Sequence, residues 1–369
     1  MGFTYNNKKE VLNVNKTKNK TSDNYLDLLR KKSSIGFVYT RENFEDMKIK
    51  NWIDTGNYLL NALISGDIYK GIPGNKVIQL AGPSSTGKTY ICQDIVKNAQ
   101  KQGYDIIYYD TEGAQDLESL VNRGIDLHKL MLIKLKTVEE LNQSIVELLK
   151  EIKDGDKILI VIDSLGQLTT EKEYFDISEK KNVRDMTRAQ KIKSLTRTIS
   201  IDLNMKNIPL LLINHTYTII GAYVPMQKTA GGAGVEYTPS ISIILSKKLD
   251  KTTDKKEVIG AIITAKAEKS RLSKDNKKIE FVISYASGVS KYGGLFPYAI
   301  EHQFIKKNGN KYEYKGENLT KKSLTPEFFE NLLKDGLAEF INKDFKYQSS
   351  TDELIEEIIE ENENTDNEE

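Results

Sequence analysis

Gly82-Pro-Ser-Ser-Thr-Gly-Lys-Thr89 sets two glycines, a lysine and a hydroxyl at the offsets needed to hold a chain of phosphates. From Gly82 through Pro83, Ser84, Ser85, Thr86 and Gly87 the backbone aims N–H groups and a helix N-terminus at an anion. Lys88 then reaches the β and γ oxygens, the Thr89 hydroxyl ligates Mg²⁺, and Tyr90 completes the nucleotide-binding stretch. The apolar run Val77-Ile-Gln-Leu-Ala81 precedes the loop and a helical stretch follows it, which is the strand–loop–helix setting this chemistry requires. The expected cofactors are ATP and Mg²⁺.

Three further groups carry chemistry. Ile158-Leu-Ile-Val-Ile162 closes on Asp163-Ser164. An apolar strand ending in a carboxylate is the Walker B arrangement, so Asp163 joins Thr89 as a metal residue and belongs to the nucleotide site. Asp105 to Tyr109 likewise ends in acids, Asp110-Thr-Glu112-Gly, and Glu112 is the candidate for polarising an attacking water. Passive binding needs no such base, so Glu112 favours hydrolysis, although a solvated loop acid is the plainer reading of a lone glutamate. Ile213-Asn214-His215 ends another strand, where a polar pair would sense the γ-phosphate; a satisfied loop histidine is the plain alternative for His215.

Thr216 to Thr229 then mixes Tyr217, Ile219, Ile220, Tyr223, Met226 and Lys228 without periodicity and closes on Gly231-Gly232. A loop of that length is rarely structureless without a function. Aromatic and aliphatic side chains can insert between bases while lysine and glycine backbone meet phosphates, the pattern of a single-strand channel. A second basic stretch, Thr170 to Arg184, carries Lys172, Lys180, Lys181 and Arg184; an ordinary charged surface loop is its plain alternative.

The elements that must position these groups alternate between apolar strands and amphipathic helices from Leu59 to Leu245. Strands are expected at Val77–Ala81, Asp105–Tyr109, Met131–Lys134, Ile158–Ile162, Pro209–Ile213 and Ser240–Leu245. Alternation of this kind predicts an α/β fold with a doubly wound, mostly parallel sheet. Ile259–Lys266 and Lys278–Tyr285 are expected as a terminal antiparallel pair, and Leu324–Ile341 as two short helices. Ahead of the core, Ser22 can cap a helix and Ile35-Gly-Phe-Val-Tyr39 reads as a strand. Residues 1–54 are expected as an N-terminal polymerisation arm packed on a neighbouring subunit, with packing on their own domain as the plain alternative; 55–300 are expected as the ATPase core, 301–349 as a small C-terminal segment and 350–369 as an acidic tail.

Composition sets outer bounds. With 38% hydrophobic and 29% charged residues, the 369-residue chain is ordinary for a globular protein with a substantial core. The net charge of +1 hides opposite ends: Met1 to Lys32 holds eight Lys or Arg against three acids, whereas Asp352 to Glu369 holds ten acids and no base. Such a tail cannot condense a core and is expected to be disordered. The single cysteine, Cys92, excludes an internal disulfide and fits a reducing compartment. No stretch is long and apolar enough to span a bilayer and no secretory signal is evident, so a cytoplasmic location without membrane association is expected, in the host cell if the chain is phage-encoded.

The order of motifs, P-loop, Asp-Thr-Glu-Gly, Val-Ile-Asp-Ser, Asn-His and Gly-Gly-Ala-Gly, resembles the RecA-type strand-exchange recombinases, and within them the T-even bacteriophage (UvsX) branch. Leu80-Ala-Gly-Pro-Ser84, Val161-Ile-Asp-Ser-Leu-Gly166, Asp185-Met-Thr-Arg-Ala189, Lys206-Asn-Ile-Pro209, Ile213-Asn-His-Thr-Tyr217 and Glu268-Lys-Ser-Arg271 are similar to that branch, over roughly Leu59 to Tyr314. The resemblance implies a RecA-like core in which Glu112 activates water and His215 links the γ-phosphate to the second DNA loop. It adds Arg188 to the DNA-binding set. It also implies that Lys269 and Arg271 are the paired cations by which one subunit reaches the ATP of its filament neighbour.

The implied partners are single-stranded DNA, double-stranded DNA, further copies of the chain in a helical filament, a single-strand-binding protein and a loading mediator. The implied activity is a DNA-dependent ATPase that pairs and exchanges homologous strands. Two departures stand out: Gln115-Asp-Leu-Glu-Ser119 lacks the aromatic that stacks on adenine in cellular RecA, and the segment after Tyr314 is shorter than in the phage branch. A hexameric RecA-fold motor and a regulatory RecA-like paralogue are the alternatives. The absence of a sizeable second domain counts against the first, and Glu112 with the aromatic loop against the second.

Overall fold

Apolar runs flanked by turns account for the strands of this chain, and the computed structural model describes residues 48–178, 187–218, 227–229, 238–249, 260–285 and 287–347. The helix capped by Ser22, the strand Ile35–Tyr39 and the acidic tail lie outside the described residues. The chain divides into Met1–Lys48 and Ile49–Glu369, and the elements below belong to the second unit.

A two-stranded ribbon, β1 (Trp52–Ile53) with β2 (Ile72–Pro73), brackets the helix Tyr58–Ser65. The main sheet contains β3 (Val77–Gly82), β4 (Asp105–Asp110), β5 (Leu130–Lys134), β6 (Ile158–Asp163), β7 (Leu210–Thr218), β8 (Gln227–Thr229), β9 (Ile241–Leu249), β10 (Gly260–Lys269), β11 (Lys278–Ser284) and β12 (Gly288–Val289). Its order is β12-β11-β10-β9-β3-β7-β6-β4-β5, with β8 paired to β7 alone. Pairings among β3, β4, β5, β6, β7 and β9 are parallel. Those joining β9, β10, β11 and β12 are antiparallel. This is the doubly wound, mostly parallel α/β sheet that the alternation of strands and helices predicts.

Alternation along each central strand sends side chains to two different layers. Leu80, Tyr108, Val161 and Ile213 pack with Ile91 and Ile95 of the helix Lys88–Lys101 on one face. On the other, Ile107, Ile160 and Leu212 meet Leu141 and Ile145 of the helix Val138–Glu151, and Ile192 and Ile199 of the helix Arg188–Met205. Both faces are covered, which is why Ile158-Leu-Ile-Val-Ile162 reads as an unbroken apolar run. Thr137 and Glu140 close a capping box that fixes where the helix Val138–Glu151 begins.

Some elements differ from expectation. Strand β7 does not end at Ile213: it runs on to Thr218 and pairs antiparallel with β8, matching Thr216 with Thr229 and Tyr217 with Lys228. Hydrogen bonding to a returning segment, invisible to local periodicity, extends it. β9 and β10 likewise run beyond Leu245 and Lys266, because each completes the other's ladder. The C-terminal region adds a small sheet, β13 (Lys306–Asn308), β14 (Lys311–Tyr314) and β15 (Glu317–Leu319), which was not anticipated from its mostly polar sequence. The two expected helices are Pro326–Leu332 and Ala338–Phe345, joined across a kink at Gly336, whose φ of 109° suits glycine.

One carboxylate ties these C-terminal helices to the body. Glu330 Oε1 accepts from Tyr58 at 2.9 Å, Tyr292 at 2.8 Å and Lys291 at 3.0 Å. Burial pushes the Glu330 carboxyl up, but the hydrogen bonds from Tyr292, Lys291 and Tyr58 together hold it below its ordinary value. A group depressed in the folded state adds stability above its unfolded pKa and loses it as pH falls through the folded one. Glu330→Gln is therefore expected to destabilise the fold by about 1–2 kcal/mol at neutral pH. Urea melts at descending pH should show that difference shrinking below the ordinary carboxylate range; a constant difference would refute the assignment.

Candidate functional site

Register brings the chemistry to one end of the sheet. Gly82 is paired with His215 across β3 and β7, and Asp110 with Asp163 across β4 and β6. The P-loop, the acids and the histidine thus leave the carboxyl ends of adjacent parallel strands, where open α/β sheets bind ligands. They surround a cleft of about 170 Å³ lined by Ser84, Ser85, Gly87, Lys88, Thr89, Tyr90, Glu112, Asp163 and His215.

The loop's shape depends on its glycines. Gly87 has φ 84°, and a Cβ there would stand 2.9 Å from Ile283 Cδ1; one on Gly82 would stand 2.5 Å from the Leu245 carbonyl oxygen. Thr86 Oγ1 donates to Pro83 O at 2.8 Å and holds the turn. The Lys88 ammonium donates to Gly82 O at 2.9 Å and Pro83 O at 2.8 Å. Burial lowers the Lys88 pKa, and the charges of Asp163 and Glu112 partly offset that.

Asp163 is buried, which raises its carboxyl pKa; hydrogen bonds from Tyr108 and Thr89 oppose the rise, while Glu112 and Asp110 add to it. Thr89 Oγ1 donates to Asp163 Oδ2 at 3.1 Å. One hydroxyl and one carboxylate are hard oxygen donors that leave room for phosphate oxygens and water, which suits Mg²⁺. Among the described residues no group of three or more His, Cys, Asp or Glu gathers to form an all-protein cage.

Glu112 is held from two sides. Its Oε1 accepts from Ser164 Oγ at 2.7 Å and lies 2.8 Å from His215 Nε2, so His215 presents Nε2–H to the carboxylate. Ser164 is fastened in turn: its N–H donates to Thr111 Oγ1 at 2.8 Å, and Thr111 Oγ1 donates to Ser164 O at 2.6 Å. Burial pushes the Glu112 carboxyl up, yet the His215 and Ser164 hydrogen bonds, with electrostatic attraction toward His215 and Lys88, bring it below the ordinary value. Ser164 and Thr111 were not singled out from the sequence, though both flank the acids that were.

The remaining candidates fall elsewhere. Lys269 ends β10 and Arg271 follows it, and neither lines the cleft of its own chain. Lys269 is lowered by burial and by Arg271, with Asp275 opposing; Lys76 is lowered by burial and by Arg271, so three cations gather there. Arg188, at the start of its helix, donates to the Gly166 carbonyl just past Ser164. Tyr217 is 54% exposed on β7. Lys228 lies on β8, and its side chain is outside the described residues, as are Lys180, Lys181, Arg184, Ile219, Ile220, Tyr223, Met226, Gly231 and Gly232.

A second cleft of about 530 Å³ adjoins the first, with Tyr90 lining both. Asp116, Ser119, Arg123 and Tyr285 form its walls. The Arg123 guanidinium sits 4.2 Å from the centre of the Tyr90 ring and pairs with Asp94 at 3.3 Å. Tyr285 supplies from β11's end an aromatic that the local sequence around Ser119 lacks.

Among the described residues no helix is long and apolar enough to cross a membrane. The RecA N-terminal domain family matches residues 23–290. The recombination and repair protein of Enterobacteria phage T4 is 32% identical over 265 residues, covering 71% of this chain and 66% of that protein. Protein RecA of Streptomyces rimosus is 31% identical over 279 residues, covering 75% of this chain and 72% of the relative. Protein RecA of Streptomyces ambofaciens is 30% identical over 297 residues, with 80% and 77% covered. The family match spans the strand-end cluster built from the P-loop, Glu112, Asp163 and His215, and the chain belongs to the RecA family.

Proposed function

We propose that the protein is a DNA-dependent ATPase that assembles as a helical filament on single-stranded DNA and exchanges that strand into a homologous duplex. The observation that carries this reading is Glu112, held between Ser164 and His215 on the wall of the phosphate cleft. A nucleotide store needs no such base. Here Glu112 orients a water in line with the γ-phosphate and takes its proton, while Lys88 and the loop N–H groups draw charge from the phosphoryl oxygens. Thr89 and Asp163 would hold Mg²⁺, which supplies charge neutralisation across the β and γ oxygens when bound. The base would lie toward Tyr90, Asp116 and Tyr285.

His215 connects this chemistry to DNA through the continuous backbone of β7. Three residues beyond it, β7 is still paired with β8, and the segment between the two strands is the proposed DNA loop. A change at Glu112 on loss of the γ-phosphate therefore reaches the hairpin through His215. Arg188, bonded to Gly166, joins the other proposed loop to the Asp163–Ser164 turn. Nucleotide that binds the assembled form preferentially stabilises it by that difference, and hydrolysis removes the preference.

Assembly uses the arm and a sheet edge. β5 is an outer strand of the main sheet, and beside it lies a largely apolar groove of about 660 Å³ that includes Met131, 51% exposed. We assign the arm, with the strand expected at Ile35–Tyr39, as the part of a neighbouring subunit that covers such a groove; its extent is residues 1–48 rather than 1–54, because Trp52–Ile53 pairs with Ile72–Pro73 of its own body. Lys269 and Arg271 then reach the neighbour's ATP. A cytoplasmic location, a duplex DNA partner, a single-strand-binding protein and a loading mediator complete the proposal.

ATP hydrolysis measured with and without single-stranded DNA, alongside negative-stain microscopy, tests it. Strong stimulation with extended filaments, both lost in Lys88→Ala, is the expected outcome, and raising salt should weaken DNA binding steeply because counterions are released. Closed rings would point to a motor instead. DNA-independent turnover without filaments would overturn the recombinase reading.

A further inference from the structure

Tyr108 has none of the roles above, yet its phenol is buried at the metal end of the cleft. Strand alternation puts Ile106, Tyr108 and Asp110 on one face of β4, the face covered by the helix Lys88–Lys101. The Tyr108 hydroxyl donates to Asp163 Oδ2 at 2.8 Å, the same oxygen that accepts from Thr89 Oγ1 at 3.1 Å. Gln115 Nε2 donates to the Tyr108 oxygen at 3.0 Å and approaches Asp163 Oδ2 at 3.5 Å. Gln93 Nε2, from the P-loop helix, donates to Gln115 Oε1 at 2.9 Å. Tyr108, Gln93, Gln115 and Asp163 are all at most 8% exposed.

A phenylalanine would fill the same space, so packing does not account for the hydroxyl. In a dry setting, a satisfied chain of donors ending on one carboxylate oxygen sets the rotation of that carboxylate. We infer that Tyr108 is a positioning residue for the metal carboxylate, orienting Asp163 before Mg²⁺ arrives, and that Gln115 and Gln93 act through it. The inference rests on the reading of Thr89 and Asp163 as the Mg²⁺ pair. It also extends the site: the Gln115 N–H donates to Asp110 Oδ2 at 3.1 Å, and the next residue, Asp116, caps the helix Leu117–Asn122 and lines the larger cleft. The chain of hydrogen bonds from Asp163 thus reaches Gln115, one residue before the wall of the pocket proposed for the base.

The test is Tyr108→Phe in the full chain, read by equilibrium binding of a fluorescent, slowly hydrolysed ATP analogue during a Mg²⁺ titration, with a parallel series in EDTA. Outer-shell partners of metal ligands are typically worth 10–100-fold in affinity, so half-saturation should need ~10-fold more Mg²⁺. Binding in EDTA and the melting temperature of the metal-free protein should hold. Gln115→Ala should shift the Mg²⁺ requirement in the same direction, and the double variant should be no worse than Tyr108→Phe. An unchanged Mg²⁺ requirement would overturn the inference, as would a loss of binding equal with and without metal. Thr89→Ala separates the two levels: if it leaves Mg²⁺-dependent binding intact, the metal reading itself falls, whatever Tyr108→Phe does.

Discussion

Glu112→Gln should lower DNA-stimulated ATP hydrolysis by about 10²–10⁴-fold, the usual contribution of a positioned general base, with nucleotide affinity little changed. The amide keeps an oxygen that can accept from Ser164 Oγ, so the loop geometry survives. What is lost is the group that takes a proton from water and the negative charge facing His215. Single-turnover hydrolysis on single-stranded DNA, with nucleotide binding measured separately, distinguishes a chemical defect from a binding defect. Wild-type turnover in the Gln variant would remove Glu112 from the mechanism. The pH profile carries a sign as well. Because the carboxyl is held below its ordinary value, the base stays ionised as pH falls from neutrality, and its titration should limit activity only below the ordinary carboxylate range.

The second large effect concerns Lys269 and Arg271, the cations proposed above to act across a subunit boundary. Arg271→Ala is expected to lower hydrolysis by ~10³-fold or more, since a cation supplied in trans to a transferring phosphoryl group is worth that much. Lys269→Ala should act in the same direction. Neither residue lines its own cleft, so the proposal predicts that the loss arises in a neighbour's site. Mixing makes this decisive. Glu112→Gln and Arg271→Ala subunits should each be nearly inactive alone, but a mixed filament contains interfaces that join an intact Glu112 site to an intact Arg271. Activity should return on mixing. No recovery, in mixtures that microscopy shows to be filamentous, would place these cations outside the reaction.

Much of the site was legible because its parts are local. The P-loop is one continuous segment whose glycines, lysine and threonine act at fixed offsets, and a strand ending in Asp163 can be read from five apolar residues and a carboxylate. Strand identity was also legible where both faces are buried, because such strands show as apolar runs. Strand ends were less so. β7 continues past His215 because β8 returns to pair with it, and nothing in Thr216-Tyr217-Thr218 announces that partner. The small sheet from Lys306 to Leu319 escaped notice for the same reason, its polar residues being held by cross-strand hydrogen bonds.

Tyr108 and Tyr285 show the other kind of gap. Within its strand, Tyr108 looks like one more core aromatic; only the register of β4 against β6 sets its hydroxyl beside Asp163. The stretch around Ser119 lacks an aromatic in sequence, whereas Tyr285 enters the cleft that Ser119 lines from a distant strand end. By itself, then, the sequence determined a P-loop on a mostly parallel α/β sheet with acids at its strand ends, because those features depend on short-range geometry and burial. Tertiary structure alone decided which distant side chains share an oxygen, a cleft or a hairpin, because hydrogen-bond partners hundreds of residues apart are chosen by strand register and packing, which no local pattern encodes.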